Sequence, residues 1–181
     1  MPWRNGLGFT TELARRDGAD GELDWRVSIA EVTADGPFSR FPGCDRVIVV
    51  VEGAGMVLAH GEEGVTATVG PLAPHAFAGD VDTHCALRAG PVRDFNLITR
   101  RSRWRGEVIV LRPEAAGRVA LPAAAALVHC LRGRATVAAG TSEATLAAGE
   151  TALAEEQSPL ELMDVLDGET TLLVVTLAAG R

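Results

Sequence analysis

Short apolar runs that end in Gly, Pro or Asp recur along almost the whole chain, and this rhythm limits the fold more than any other feature. Examples are WRVSIAEV from Trp25, RVIVVVEG from Arg46, RDFNLITR from Arg93 and TTLLVVTL from Thr170. Each run has the length of a β-strand and is rich in β-branched residues. The pattern predicts an all-β protein built as a sandwich or barrel of antiparallel strands.

One of these runs has an unexpected charge at its start. The unbroken apolar segment Val47–Val51 predicts a strand that is buried on both faces. Asp45 and Arg46 lead directly into it, and burying an arginine is costly unless another group pairs with it. We therefore expect Arg46 to be held by a partner inside the fold or by a ligand.

Composition excludes several partners and several kinds of chemistry. The chain of 181 residues has a net charge of -7, which argues against nucleic acid or an anionic membrane as a partner. All 17 basic residues are arginines and there is no tyrosine, which excludes Schiff-base chemistry, a lysine base and a tyrosine acid. Three scattered cysteines without a CxxC spacing, and the lack of a long apolar segment, predict a cytoplasmic protein with free thiols.

The two halves of the chain share a weak pattern. RVIVVVEGAGMVL and RDFNLIT in the first half resemble ALVHCLRGRATV and TTLLVVT in the second, with Gly53 and Gly133 in equivalent places. Chance similarity between β-rich segments would give the same pattern. We predict two similar β units, residues 1–111 and 112–181, which share a core.

A strand that ends in E-G-x-G, here Glu52–Gly55, followed by a short hairpin resembles the half-barrel of the cupins, an RmlC-like jelly roll. In metal-binding cupins a glutamate lies seven residues before the strand-end glycine and follows two histidines. Counted from Gly53, the glutamate position holds Arg46, and the histidine positions fall among residues 39–42, which include no histidine. The four histidines of the chain also show no HxH or HxxxH spacing, so we expect no bound metal and no other cofactor.

Five longer blocks carry a more specific resemblance. They are PWRNGLGFTTELA, DWRVSIAEVTADGPFSRFPGCDR, EGAGMVL, PLAPHAFAGD and GPVRDFNLITRR, which together fall within residues 2–101. On these blocks the chain resembles the HutD/Ves family. The resemblance implies an all-β, bicupin-like fold without a catalytic metal. It also implies a link to histidine-utilisation operons, in which the family is suspected of binding a pathway metabolite and moderating flux.

Strand alternation gives the first candidate site residues. In RDFNLI, alternation places Asp94 and Asn96 on one face, and in WRVSIAE it places Arg26 and Ser28 on one face. Such polar faces either meet solvent or line a wet cavity. The cavity interpretation is favoured because Arg46, at the inward-pointing cupin position, needs a partner. Within it, Arg46 pairs with a carboxylate of the protein, from Asp94 or from the neighbouring residue 45, or with the carboxylate of a ligand. The remaining alternative is that Arg46 leans into solvent.

The loop GPFSRFPG supplies two further candidates. Phe38 and Phe41 either form a pocket wall around the apolar atoms of a ligand or serve only as core residues. Asn5, in a Gly-rich turn, offers its amide to a ligand or caps that turn. The full set of candidate ligand-binding residues is Asn5, Arg26, Ser28, Phe38, Phe41, Arg46, His75, Phe77, Asp94 and Asn96.

Three functions remain open. The first is a non-catalytic cupin that binds a small carboxylate metabolite, such as urocanate or a formylated glutamate derivative, and moderates histidine utilisation or a stress response. Its site would lie in the first unit, because Ala126 takes the place of Arg46 in the second. The second is a cofactor-free isomerase or hydrolase that uses His75 and Asp80, on either side of Phe77, for proton transfer. The third is a protein-interaction module with a vestigial pocket, and a homodimer is left open.

Overall fold

The structure, a computed structural model, describes residues 8–113, 117–121, 124–154, 160, 162–165 and 169–180. Every regular element in these residues is a β-strand, which confirms the predicted all-β class. Within the same ranges, no helix is long and apolar enough to cross a membrane. The chain divides into two compact units at Arg105–Gly106, and the first unit also takes in Ala179.

The first unit consists of two antiparallel sheets. Its strands are β1 (Gly8–Asp17), β2 (Leu23–Val32), β3 (Gly36–Pro37), β4 (Cys44–Glu52), β5 (Met56–His60), β6 (Val65–Val69), β7 (His75–Ala78), β8 (Thr83–Leu87) and β9 (Val92–Arg100). One sheet has the order β1-β2-β9-β4-β7 and the other the order β3-β8-β5-β6. Several neighbouring strands, such as β2 and β9 or β4 and β9, are far apart in sequence, so the fold brings together residues that no local motif links.

The second unit consists of two sheets of four strands each. Its strands are β10 (Trp104–Leu111), which begins at the end of the first unit, β11 (Gly117–Ala120), β12 (Ala125–Arg132), β13 (Arg134–Ala139), β14 (Ser142–Ala147), β15 (Thr151–Leu153), β16 (Leu162–Val165) and β17 (Thr171–Ala179). The sheet orders are β10-β17-β12-β15 and β11-β16-β13-β14. The boundary predicted after residue 111 lies at the end of β10. That the two units are similar repeats stays a prediction.

Strand β4 is buried on both faces, as its sequence predicts. It lies between β9 and β7 in the five-stranded sheet, and Ile48, Val49 and Val50 have no exposed surface. A central strand with no solvent-facing side needs apolar residues at successive positions, which explains why the run Val47–Val51 does not alternate. Arg46, near the start of this strand, is therefore directed into the interior.

The two units differ in what fills them. The core of the first combines Ile48 and Val50 of β4 with side chains of β5, β6 and β8, namely Met56, Leu58, Val69 and Cys85. The core of the second contains Val128 and Cys130 of β12, Ala135 and Val137 of β13, Leu146 of β14, and Leu172 and Val174 of β17. Buried charged side chains among the described residues are Asp24, Arg46 and Asp94, all in the first unit. The two units thus differ in the charge that their described cores contain.

A close backbone approach fixes the loop that precedes β4. Gly79 donates its N–H to the carbonyl of Cys44 at 2.8 Å, and its own carbonyl accepts the N–H of Phe41 at 2.8 Å. A Cβ at position 79 would lie 2.8 Å from the Phe41 carbonyl oxygen and 3.0 Å from that of Cys44, closer than side chains are normally found. The absence of a side chain at Gly79 therefore lets Phe41 lie next to the start of β4 and the end of β7.

Candidate ligand-binding site

Arg46 lies at the centre of the candidate site. It is 7% exposed, and its strand partners are Phe77 on β7 and Ile98 on β9. Its Nη2 donates to Oδ1 of Asn96 at 2.7 Å, and its Nη1 makes a long contact of 3.4 Å with the carbonyl oxygen of Ser39. Its Nε has no hydrogen-bond partner in the part of the chain that the structure describes. Among the described residues, most of the five N–H donors of this guanidinium thus have no strong acceptor.

Three phenylalanines surround the guanidinium of Arg46. Its Cζ lies 5.1 Å from the ring centroid of Phe77, 5.3 Å from that of Phe41 and 5.4 Å from that of Phe38. Distances in this range give favourable cation–π attraction, which is larger where water is excluded. Burial nevertheless lowers the pKa of Arg46 to about 10. The side chain therefore remains a cation at neutral pH, with aromatic faces around it and with the charge of Asp94 opposing the effect of burial on its pKa.

The nearest buried carboxylate, Asp94, does not pair directly with Arg46. Asn96 lies between them, because its Nδ2 donates to Oδ1 of Asp94 at 2.5 Å while its own Oδ1 accepts from Arg46. Burial raises the pKa of Asp94 to about 7, against the opposing effects of the Arg46 charge, the Asn96 hydrogen bond and a backbone hydrogen bond from Ala30. Asp94 therefore changes its charge near neutral pH, and with it the net charge of the site.

Arg26 and Ser28 of β2 lie on the same face, as strand alternation predicts. Ser28 is buried and is the strand partner of Asn96. The Cζ of Arg26 lies 5.4 Å from the ring centroid of Phe41, so two guanidinium groups face one ring. Burial lowers the pKa of Arg26, and its Nε also has no hydrogen-bond partner among the described residues. The charge of Arg26 in turn contributes to the lowered pKa of Arg46.

His75 meets a histidine that the sequence pattern did not identify. Nε2 of His75 and Nε2 of His60 are 3.2 Å apart, and Nδ1 of His60 lies 3.0 Å from Oγ1 of Thr83. The rings of this histidine pair, His60 and His75, also contact Phe77, with centroid distances of 4.9 and 5.7 Å. Burial lowers the pKa of both histidines, and for His60 the neighbouring His75 lowers it further.

The predicted proton-transfer pair of His75 and Asp80 is not brought together. Oδ1 of Asp80 accepts the backbone N–H of Gly43 at 2.7 Å, and Oδ2 accepts Nη2 of Arg101 at 2.7 Å. These bonds, with the Gly43 bond the larger effect, lower the pKa of Asp80. Arg101 also pairs with Asp45 at 2.8 Å, so Asp45 does not neutralise Arg46 either. Asp80 and Asp45 are thus structural residues at the start of β4.

Ten residues were predicted as ligand-binding, and the structure brings most of them together. Those that surround or support the Arg46 guanidinium are Arg26, Ser28, Phe38, Phe41, Phe77, Asp94 and Asn96. His75 joins through its contact with Phe77. Asn5 lies outside the described residues. That these side chains bind a ligand stays a prediction.

The position at which metal-binding cupins carry their glutamate does not fit a cation here. It holds Arg46, whose buried positive charge would repel a metal ion. Among the residues that the structure describes, no group of three or more His, Cys, Asp or Glu side chains could hold a metal ion. The residue at this central position is therefore a cation and not a metal ligand.

Two relatives resemble the chain over its larger part. An uncharacterised 21.2 kDa protein in the hutC 3′ region of Pseudomonas putida is 41% identical over 111 residues, which make up 60% of this chain and 57% of that protein. Protein Ves of Citrobacter koseri is 40% identical over 109 residues, 60% of this chain and 56% of that protein. The matched part thus spans little more than half the length of each relative.

Solved structures extend the similarity to the whole fold. A conserved protein of unknown function from Pseudomonas aeruginosa PAO1 has a TM-score of 0.86 and 35% identity, over 98% of this chain and 92% of that one. HutD from Pseudomonas fluorescens SBW25 has a TM-score of 0.82 and 31% identity, over 100% and 94%. A cupin 2 conserved barrel domain protein from Leptotrichia buccalis, at 10% identity and a TM-score of 0.59 over 94% and 89%, shares only the fold.

These neighbours confirm the cupin fold that the E-G-x-G strand predicted. The sequence model of the HutD family matches residues 1–174, nearly the entire chain. The similarity therefore includes both β units and not only the five blocks of the first hundred residues. On this match, the chain belongs to the HutD family.

Proposed function

We propose that the protein binds a small carboxylate metabolite at Arg46, and that it acts as a binding protein rather than as an enzyme. The ligand class is that of urocanate or a formylated glutamate, and binding would moderate histidine utilisation or a stress response. The observation that carries the proposal is a buried, protonated arginine that forms no ion pair among the described residues.

The energetics of this arginine favour an anionic ligand. A buried charge without a direct counter-ion has lost its hydration and has gained only part of the interaction that normally compensates for it. Arg46 has one short hydrogen bond, to a neutral amide, and aromatic faces around it. A carboxylate that reached its remaining N–H groups would form charge-assisted hydrogen bonds in a water-poor setting, where they are strongest.

The surroundings of Arg46 also suggest what else the ligand carries. Phe38, Phe41 and Phe77 offer apolar faces next to the cation, and the histidine pair continues this surface beyond Phe77. A ligand with a carboxylate at one end and a flat or aliphatic part at the other would use both features. The P. putida relative lies in the hutC 3′ region, which supports a link with histidine utilisation.

An enzymatic role has less support. The hydrolase or isomerase hypothesis needs His75 and Asp80 to exchange a proton, whereas Asp80 is bonded to Gly43 and Arg101. His75 is instead next to a second histidine. No observation favours this alternative over binding.

The test is calorimetric titration of the protein with urocanate, formylglutamate and other small acids. For an acid that binds, Arg46→Ala should weaken binding by about 1.5–3 kcal/mol, the value of a charged hydrogen bond. Arg46→Lys should recover only part of the loss, because an ammonium group cannot form the two parallel bonds of a guanidinium.

Arg93→Ala provides the matched control. Arg93 is an exposed arginine of β9 that pairs with Glu52 on the surface, so its loss should leave affinity unchanged. Equal affinities for the unmodified protein and Arg46→Ala, with both folded by circular dichroism, would contradict the proposal. So would turnover of any acid in the panel, which would identify an enzyme.

A further inference from the structure

The histidine pair is a second polar cluster that the carboxylate site does not require. His60 ends β5 and His75 begins β7, and these strands belong to different sheets of the first unit. Both side chains are partly exposed, so solutes can reach them. The ring centroids are 5.5 Å apart, the Nε2 atoms are 3.2 Å apart, and the ring planes differ by only 21°. The difference between the two distances is about two ring radii, as expected when each Nε2 lies on the line that joins the centroids. The two rings therefore point nitrogen to nitrogen.

The hydrogen bonds around the pair determine which nitrogen carries each proton. Oγ1 of Thr83 donates to the carbonyl oxygen of Val81 at 3.2 Å, so it accepts the Nδ1–H of His60 at 3.0 Å. Nε2 of His60 then has no proton and presents a lone pair. That lone pair accepts the Nε2–H of His75. A hydrogen-bonded neighbour that fixes the tautomer in this way is typical of histidines that bind metals.

The distance between the two nitrogens matches that of a shared metal ion. Two imidazole nitrogens bound to one tetrahedral Zn²⁺ at about 2.0–2.1 Å are about 3.3–3.4 Å apart. The observed 3.2 Å requires almost no separation of the strands. A tetrahedral ion would lie to one side of the line that joins the two nitrogens. Each ring must therefore rotate slightly so that its Nε2 lone pair is directed at the ion. This motion is inexpensive because the last side-chain torsion of histidine has a broad minimum.

We propose that His60 and His75 form a two-ligand site for a divalent transition metal of the Zn²⁺ or Cu²⁺ type, with water in the remaining positions. Imidazole nitrogen suits both ions. The metal takes the place of the proton that lies between the two nitrogens. Neutral His75 changes tautomer as the ion binds: Nε2 gives its proton to solvent and Nδ1 takes one from solvent, so no net proton is released. The ion would lie beyond Phe77, apart from the arginine position that repels a cation.

The experiment is titration of the tag-free, full-length protein with Zn²⁺ by calorimetry and with Cu²⁺ by electron paramagnetic resonance. The expected result is one saturable ion per chain, with a Cu²⁺ spectrum that shows coupling to two nitrogens. His60→Ala and His75→Ala should each abolish saturable binding. Thr83→Val keeps the size of the side chain but removes the acceptor for His60, and it should weaken binding about tenfold.

Two control variants show whether binding is specific to the histidine pair. His84→Ala removes an exposed histidine of the neighbouring strand β8 and should leave metal binding unchanged. Arg46→Ala removes the proposed carboxylate anchor and should also leave metal binding intact, so the two proposals can fail separately. Thermal melting verifies that each variant folds. Binding that survives both His60→Ala and His75→Ala, or no one-to-one binding by the unmodified protein, overturns the assignment.

Discussion

Replacing Asp94 by asparagine should remove a pH dependence from carboxylate binding. The pKa of Asp94 is raised to about 7, first of all by burial, so the residue is mostly neutral at pH 6 and mostly ionised at pH 8. Arg46 stays protonated across this range because its pKa is about 10. An ionised Asp94 neutralises part of the positive charge and repels an incoming carboxylate. We therefore expect the unmodified protein to bind acids less tightly as the pH rises from 6 to 8.

The size of the effect follows from the contacts around Asn96. Its two hydrogen bonds, of 2.7 and 2.5 Å, separate the Arg46 guanidinium from the Asp94 carboxylate by the length of one amide group. The like charges that matter are the Asp94 carboxylate and the carboxylate of a ligand bound to Arg46. At a separation of about 7 Å they repel by about 2 kcal/mol at an effective dielectric constant of about 20. A bound carboxylate should thus raise the pKa of Asp94 by about 1.5 units. Linkage then gives an affinity about five- to tenfold lower at pH 8 than at pH 6.

Calorimetry in buffers of different ionisation enthalpy measures both the affinity and the protons exchanged. Formylglutamate is a suitable ligand because it has no group that titrates between pH 6 and pH 8. At pH 7 the unmodified protein should take up about half a proton for each ligand bound, because binding shifts a half-protonated Asp94 toward its protonated form. Asp94→Asn keeps the acceptor for Asn96, and it should bind with the same affinity at both pH values and take up no proton.

Two results would refute this reasoning. One is an affinity of the unmodified protein that does not change between pH 6 and pH 8. The other is an equal pH dependence in Asp94→Asn, which would assign the titration to another group such as the histidine pair.

Two further predictions concern the scaffold. Gly79→Val should destabilise the protein by about 1–3 kcal/mol in urea denaturation, because its side chain would meet the Phe41 carbonyl oxygen, whereas Gly70→Ala, with open space around its Cβ position, should have little effect. A native protein that tolerated Gly79→Val without loss would show that the loop can move away. The buried cysteines Cys44, Cys85 and Cys130 should react with a thiol reagent only on unfolding, because burial excludes the reagent. Burial also raises the pKa of the Cys44 thiol and raises that of Cys85 to about 12, which lowers their reactivity. Rapid labelling of the native protein would contradict this prediction.

Local sequence pattern predicted the central part of the site. Alternation along β9 placed Asp94 and Asn96 on one face, and the apolar run after Arg46 left that side chain no route to solvent. These inferences depend only on the two-residue period of a strand, which neighbouring residues determine. The resemblance to cupins added the inward direction of Arg46, so the main cation of the site could be found before its partners were known.

Contacts between distant strands could not be predicted in this way. His60 meets His75 only because β5 pairs with β8 while β7 pairs with β4, in two different sheets. No spacing in the sequence encodes that meeting, and a search for HxH or HxxxH patterns misses it. The alternative hypothesis of proton transfer between His75 and Asp80 depended on a contact of the same kind. The Asp80 carboxylate is bonded instead to Gly43 and Arg101, which lie far from it in the chain. The hydrogen-bond partners of a given carboxylate depend on strand pairing rather than on composition.

Asn96 gives the buried hydrogen bonds a single direction. Its carbonyl oxygen faces the donors of Arg46 and its amino group faces the carboxylate of Asp94. A reversed amide would set donor against donor and acceptor against acceptor. An aspartate at this position would lose the donor, and a leucine would lose both bonds. A substitution at Arg46, Asp94 or Asn96 alone therefore leaves unmatched hydrogen-bonding groups at the other two positions. Across the descendants of this protein, we expect these three residues to be kept together or replaced together.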